Sequence, residues 1–192
     1  MRAIVVEAPG GLEKLSLVDR PVPPAGPGEV QIKVAFAGVN WGDIQKRQGL
    51  YPDPIPYPAV IGLEVSGVVE ALGPGVEGLA CGQRAAAITG PGMLGGYAEW
   101  CVVPREYVIA LPDAVALETA AAFPASALTA WHLLTTAAKV ERGTRVLVHA
   151  IGGAVGLMLT QIASERGATV IVFYGRVKPP AASGIPYRRE AK

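Results

Sequence analysis

Between residues 145 and 173 the spacing of apolar positions changes period twice. Val146, Leu147 and Val148 form a short aliphatic run, and Val170, Ile171 and Val172 form another, so each predicts a strand. Between them Val155, Met158, Leu159 and Ile162 recur at helical spacing, and Gly167 stands where a left-handed cap would end the helix. This segment therefore predicts as strand, glycine-rich turn, helix, strand. Upstream of residue 115 the pattern differs. Short runs at 3–6, 15–18, 29–39, 63–72 and 97–103 are punctuated by Gly and Pro, which predicts a small, mostly antiparallel barrel or sandwich. The stretches 21–28 and 51–58 are too rich in proline for a regular ladder and predict stiff extended loops, either pocket walls or plain connectors. From Leu117 an Ala- and Leu-rich pattern predicts helix over 118–123 and 125–138, with Pro124 ending one helix or opening the next.

The turn after residue 149 carries the first candidate chemistry. Ala150, Gly153 and Gly156 fit an A-x-x-G-x-x-G form of the phosphate-binding fingerprint, in the strand-to-helix context that the motif requires. There one glycine permits the tight turn, another lets backbone N–H groups approach a pyrophosphate, and the last lets the helix sit close to the sheet. The helix start adds unpaired N–H groups and the positive end of its dipole. A tight turn without a ligand remains the alternative.

Bulk properties narrow the classes. The chain has 192 residues, 51% hydrophobic and 17% charged, with a formal charge of +1, so no basic face for a nucleic acid is expected. No apolar run reaches 18 residues and the N-terminus lacks a signal-peptide pattern, which predicts a cytoplasmic protein that does not enter the membrane. Cys81 and Cys101 have no C-x-x-C spacing and read as reduced thiols. Residues 176–192 lack apolar periodicity and carry +4, against −3 for the rest, which predicts a divergent or disordered tail.

Taken in order, GVNWGD at 38–43, RQGLYP at 47–52, GLE at 62–64, GGYAE at 95–99, ALTA at 127–130 and HAIGGAVG at 149–156 resemble one family. It is the medium-chain dehydrogenase/reductase superfamily, in its zinc-independent quinone oxidoreductase (zeta-crystallin-like) branch. The resemblance implies a mixed α+β and α/β fold: a GroES-like β-rich barrel over 1–124, then an incomplete Rossmann βαβ unit over 125–175. It also implies that the nucleotide-binding sheet is truncated and that the edge through which such enzymes dimerise is missing, though a homo-oligomer stays possible.

The family's zinc branch has a cysteine where this chain has Asn40, and Gly-His-Glu where it has Gly62, Leu63 and Glu64. Leucine ligates no metal and an amide does so poorly, so no zinc is expected. Without a Lewis acid, alcohol oxidation is disfavoured and hydride transfer from NADPH to a quinone or an activated enone remains. By resemblance Asn40, Tyr51 and Thr129 are the catalytic candidates. Asn40, Ile44 and Thr129 would border the nicotinamide, and Ala150, Gly152, Gly153, Ala154, Val155 and Gly156 the pyrophosphate. Asn40 also reads as a helix cap, Thr129 as a mid-helix residue and Tyr51 as packing. Asp43 and Glu64 look structural, with Arg47 available as partner to either. No acid stands between 169 and 180 to hold NAD ribose hydroxyls, whereas Arg176 and Lys178 would suit the 2′-phosphate of NADP. A catalytically inactive fragment or binding module of the same family is the alternative.

Overall fold

Alternation along one long strand organises the larger sheet. In β3 (Glu29–Gly38) Val30 and Ile32 point inward and are fully buried, while Lys33 and Ala35 face out. The computed structural model describes residues 1–173 and divides into two compact units, Met1–Ala125 and a second that begins at Ser126.

The first unit holds β1 (Arg2–Val6), β2 (Leu15–Asp19), β3, α1 (Trp41–Gln48), β4 (Ala59–Val60), β5 (Glu64–Leu72), β6 (Arg84–Ile88), β7 (Trp100–Pro104), β8 (Val108–Ala110) and α2 (Leu117–Ala121). Its strands form a five-stranded sheet in the order β7-β3-β5-β6-β8 and a three-stranded sheet in the order β2-β1-β4, with every pairing antiparallel. Val30, Ile32, Val65, Val69, Ala85, Ala87, Cys101, Val103 and Val108 close into one buried core. Pairing of β3 with β5 shifts register between Val34 and Phe36, leaving Ala35 as an extra residue. Gly67 lies opposite, and a Cβ there would stand 2.0 Å from the Lys33 carbonyl oxygen, so the bulge requires glycine.

Pro124 opens α3 (Pro124–His132), where its missing N–H costs nothing, and a π-helical turn over Leu133–Ala137 follows. The division between units falls inside this helix. The second unit continues with β9 (Arg145–His149), α4 (Ala154–Glu165) and β10 (Thr169–Phe173), β9 and β10 pairing in parallel. Leu134, Val140 and Ala163 are its buried core, joined by half-buried Val146, Leu159, Ile162 and Val170. Gly167 has φ 78° and ends α4 in the left-handed conformation expected of it. The mixed fold thus has an antiparallel β-rich part followed by a βαβ unit, in keeping with the sequence. Cys81 is exposed and Cys101 buried, and both are free.

Candidate functional site

Asn40 is the first residue of a buried polar chain. As N-cap of α1 it has extended backbone, its N–H donates to Asp43 Oδ2 at 3.0 Å, and its amide Nδ2 donates to Glu64 Oε1 at 2.8 Å. Glu64 Oε2 accepts the Ala125 N–H at 2.8 Å, in the first turn of α3, so both carboxylate oxygens are occupied. Asp43 Oδ2 also accepts the Tyr97 hydroxyl at 2.9 Å, whereas the buried Oδ1 has no hydrogen-bond partner among the described residues. Burial pushes both carboxyls above their ordinary values. For Asp43 the Asn40 N–H, the Tyr97 hydroxyl and the Lys46 charge pull the other way, and for Glu64 the Ala125 N–H and the Asn40 amide do so. Burial and then the Asp43 charge drive the Tyr97 hydroxyl upward in turn, which keeps it a donor.

Arg47 partners neither carboxylate, contrary to expectation. Its guanidinium donates to the Gly10 carbonyl instead, because its position on α1 faces that loop. The second long cation of this helix, Lys46, is the buried one at 2% exposure, and it went unnoticed in the sequence. Tyr51, just past α1, donates its hydroxyl to Met93 Sδ at 3.6 Å. Ile44 lies half-buried on α1, one turn after Asn40. Asn40, Ile44 and Tyr51 therefore belong to the first unit, and Thr129, exposed on α3, to the second.

At the metal positions of the zinc branch, Leu63 offers no ligand and Glu64 is fully engaged with Asn40 and Ala125. Among the described residues no three His, Cys, Asp or Glu side chains are grouped so as to hold an ion. His132 Nδ1 lies 3.3 Å from Thr136 Oγ1, one turn along the same helix.

In the second unit, β9 runs into the turn at Ala150, which holds φ 55°, and Gly153 caps α4 with extended backbone. The three glycines of this turn differ in kind. A Cβ on Gly156 would lie 2.6 Å from the Ala150 carbonyl oxygen and 2.8 Å from Ile151 Cα, so the close fit of α4 to the turn demands glycine. A Cβ on Gly152 would meet nothing within 4 Å, and one on Gly153 only the Ala150 oxygen at 3.5 Å, an ordinary contact. Neither has a positive φ. The fold itself leaves room for side chains there, on the exposed N-terminal side of a twelve-residue helix. Ala154 and Val155 open that helix, and Arg176 and Lys178 lie outside the described residues.

Comparison with known proteins agrees with this arrangement. Residues 26–113 match the alcohol dehydrogenase GroES-like domain. The chain is 40% identical over 164 residues to the human synaptic vesicle membrane protein VAT-1 homolog-like, covering 85% of this chain and 38% of that protein. It is 37% identical over 179 residues to a Pseudomonas aeruginosa quinone oxidoreductase, covering 93% and 53% respectively. The crystal structure of the Thermus thermophilus quinone oxidoreductase, solved alone and with NADPH, superposes with a TM-score of 0.76 at 38% identity over 90% of this chain and 52% of that one. The fold and these likenesses define a medium-chain dehydrogenase/reductase. Within that superfamily the chain belongs with the quinone oxidoreductases and their VAT-1 relatives, and it spans about half or less of the length of the curated relatives above.

Proposed function

We propose that this chain is part of an NADPH-dependent reductase that passes hydride to a quinone or an activated enone without zinc. The observation that carries the cofactor assignment is the contrast at the fingerprint turn: Gly156 is demanded by packing, while Gly152 and Gly153 are demanded by neither packing nor backbone conformation. Close approach of a pyrophosphate supplies the missing reason, with α4 presenting its N–H groups and Ala154 and Val155 opening the helix behind it. NADPH, when bound, supplies the hydride. Absence of an acid between 169 and 180, together with Arg176 and Lys178, favours the 2′-phosphorylated cofactor.

On the other unit Asn40 has its Nδ2 committed to Glu64, so the amide is held in one orientation and its oxygen is presented in a fixed direction. We assign Asn40, Ile44 and Thr129 to the nicotinamide end and the Tyr51 hydroxyl to the acceptor. A donor there would meet the charge that develops on the acceptor oxygen. Leu63 and the fully bonded Glu64 support chemistry without a metal. Free thiols and the absence of a described helix long and apolar enough to cross a membrane accord with a cytoplasmic enzyme.

The test is a titration of purified protein with NADPH, followed by nicotinamide fluorescence, then NADPH oxidation by 1,4-benzoquinone before and after a chelator. Saturable binding and chelator-resistant turnover are expected. Absence of binding contradicts the proposal, and binding without turnover of any quinone or enone leaves a binding module.

A further inference from the structure

A lysine is almost never fully buried unless a countercharge or several acceptors hold it. Lys46 is 2% exposed, and among the described residues no carboxylate lies within 4.0 Å of its ammonium. Nζ instead donates to the Met93 carbonyl at 2.7 Å and to the Gly92 carbonyl at 3.3 Å, and it stands 4.9 Å from the centroid of the Tyr51 ring. The Tyr51 hydroxyl returns to the same residue by donating to Met93 Sδ at 3.6 Å. Met93 is a non-glycine residue at φ 51°, so the turn it occupies is not one the backbone favours unaided. The ring also lies close to α1, where a Cβ at Gly42 would stand 3.3 Å from Tyr51 Cε2. The Lys46 carbonyl accepts the Tyr57 hydroxyl, which ties the proline-rich 51–58 loop to the same helical turn.

We infer that Lys46 is a positioning residue for the acceptor pocket, its ammonium fastening the 90–94 turn and the Tyr51 ring to α1 as one rigid wall. The inference rests on the proposed reductase reading, in which Tyr51 faces the acceptor. The geometry argues against a lysine present only for local helix stability. Such a residue would pair with Asp43 three positions back, whereas here the donors go to two carbonyls more than forty residues away. The amine spends its charge between separate loops. Burial drives it below the ordinary lysine range, with Asp43 and Asp53 pulling it back up, so the cost of holding the cation is borne at this junction.

Lys46→Met keeps an unbranched apolar stem, one atom shorter, and removes the cation. Hydrogen exchange with mass spectrometry reads the latch directly, and steady-state reduction of 1,4-benzoquinone reads the pocket. Exchange of the 90–94 amides is expected to rise at least about tenfold and the acceptor KM about tenfold, with kcat within about threefold and NADPH affinity unchanged. Unchanged exchange at 90–94 overturns the latch. Faster exchange with an unchanged acceptor KM overturns the positioning role and leaves a purely structural lysine. If the methionine variant fails to fold, Tyr51→Leu removes the ring while leaving Nζ its carbonyls, and the acceptor KM must then rise with NADPH binding intact; an unchanged KM sinks the wall. Should the wild type turn over no quinone or enone, the reductase reading fails and the pocket role with it, while exchange still decides whether Lys46 fastens the turn.

Discussion

Asp43 shows what one buried carboxylate does when its partners satisfy only one oxygen. Oδ2 takes the Asn40 N–H and the Tyr97 hydroxyl, and Oδ1 has no hydrogen bond among the described residues, so ionisation is opposed by burial more than it is helped by these donors, the Lys46 charge and the nearby Gly62 N–H. A carboxyl whose native pKa is raised binds more protons in the folded chain than in the unfolded one. Its contribution to stability is complete below the unfolded value, near 4, and is lost as pH climbs through the raised native value. Asp43→Asn keeps an acceptor for both donors and removes the titration. The difference in melting temperature between wild type and variant should therefore shift in favour of the variant as pH is raised from about 4 to about 7. Thermal melts across that range check the sign, and a wild type that gains on the variant with rising pH contradicts it. Glu64, raised for the same first reason, titrates in both proteins and cancels in the comparison to first order.

Elements became legible in the sequence where they carried an apolar period, and were missed where they did not. β3, β5, β9, β10 and α4 announce themselves by alternation or helical spacing, and their observed bounds follow the runs. β6 reads Arg-Ala-Ala-Ala-Ile over 84–88, and alanine has little strand preference, so only its pairing with β5 and β8 makes it a strand. α1 buries Asp43 and Lys46 rather than an apolar stripe, and only its caps mark it: Asn40 before it and Gly49 at φ 72° after it. Nothing in a sequence distinguishes Lys46 from the exposed lysines of a polar helix, which is why the candidate site was read without it. The turn before α4 was legible as a motif, yet the different duties of its glycines appear only from the space around each. Two variants separate those duties. Gly156→Val forces a Cβ against backbone atoms of Ala150 and Ile151 and should cost at least about 1–3 kcal/mol of stability. Gly153→Val, at an extended N-cap with room around it, should cost no more than about 1 kcal/mol of stability. It should nevertheless weaken NADPH binding about ten- to hundredfold, or ~1–3 kcal/mol. Chemical denaturation and NADPH titration measured on both variants check the pairing; a Gly153→Val protein that folds and binds NADPH unchanged removes the turn from the cofactor site.

The two units of the molecule are built with unequal cores. The first closes nine buried side chains from five strands into one cluster, while the described part of the second centres on Leu134, Val140 and Ala163 beneath a two-stranded parallel sheet. In that sheet Val146 and Val148 face inward. Leu147 and Ile171, paired in register, face outward at 56% and 39% exposure, a contiguous apolar pair in water. Two strands with one covered face hold their ladder weakly compared with a five-stranded sheet whose inner strands are paired on both sides. Amides of β3 and β5 are therefore expected to exchange only with opening of the whole first unit, and those of β9 and β10 at least about tenfold faster. Limited proteolysis should accordingly cut beyond Ala125 first and leave a protected fragment close to Met1–Ala125, a length at which domains commonly fold alone. Mass spectrometry of the exchange and of the fragments tests both outcomes on the same monomeric sample. If β9 and β10 resist exchange and cleavage as well as β3 and β5 do, the smaller core is reinforced by contacts beyond those described, and the two units share one stability.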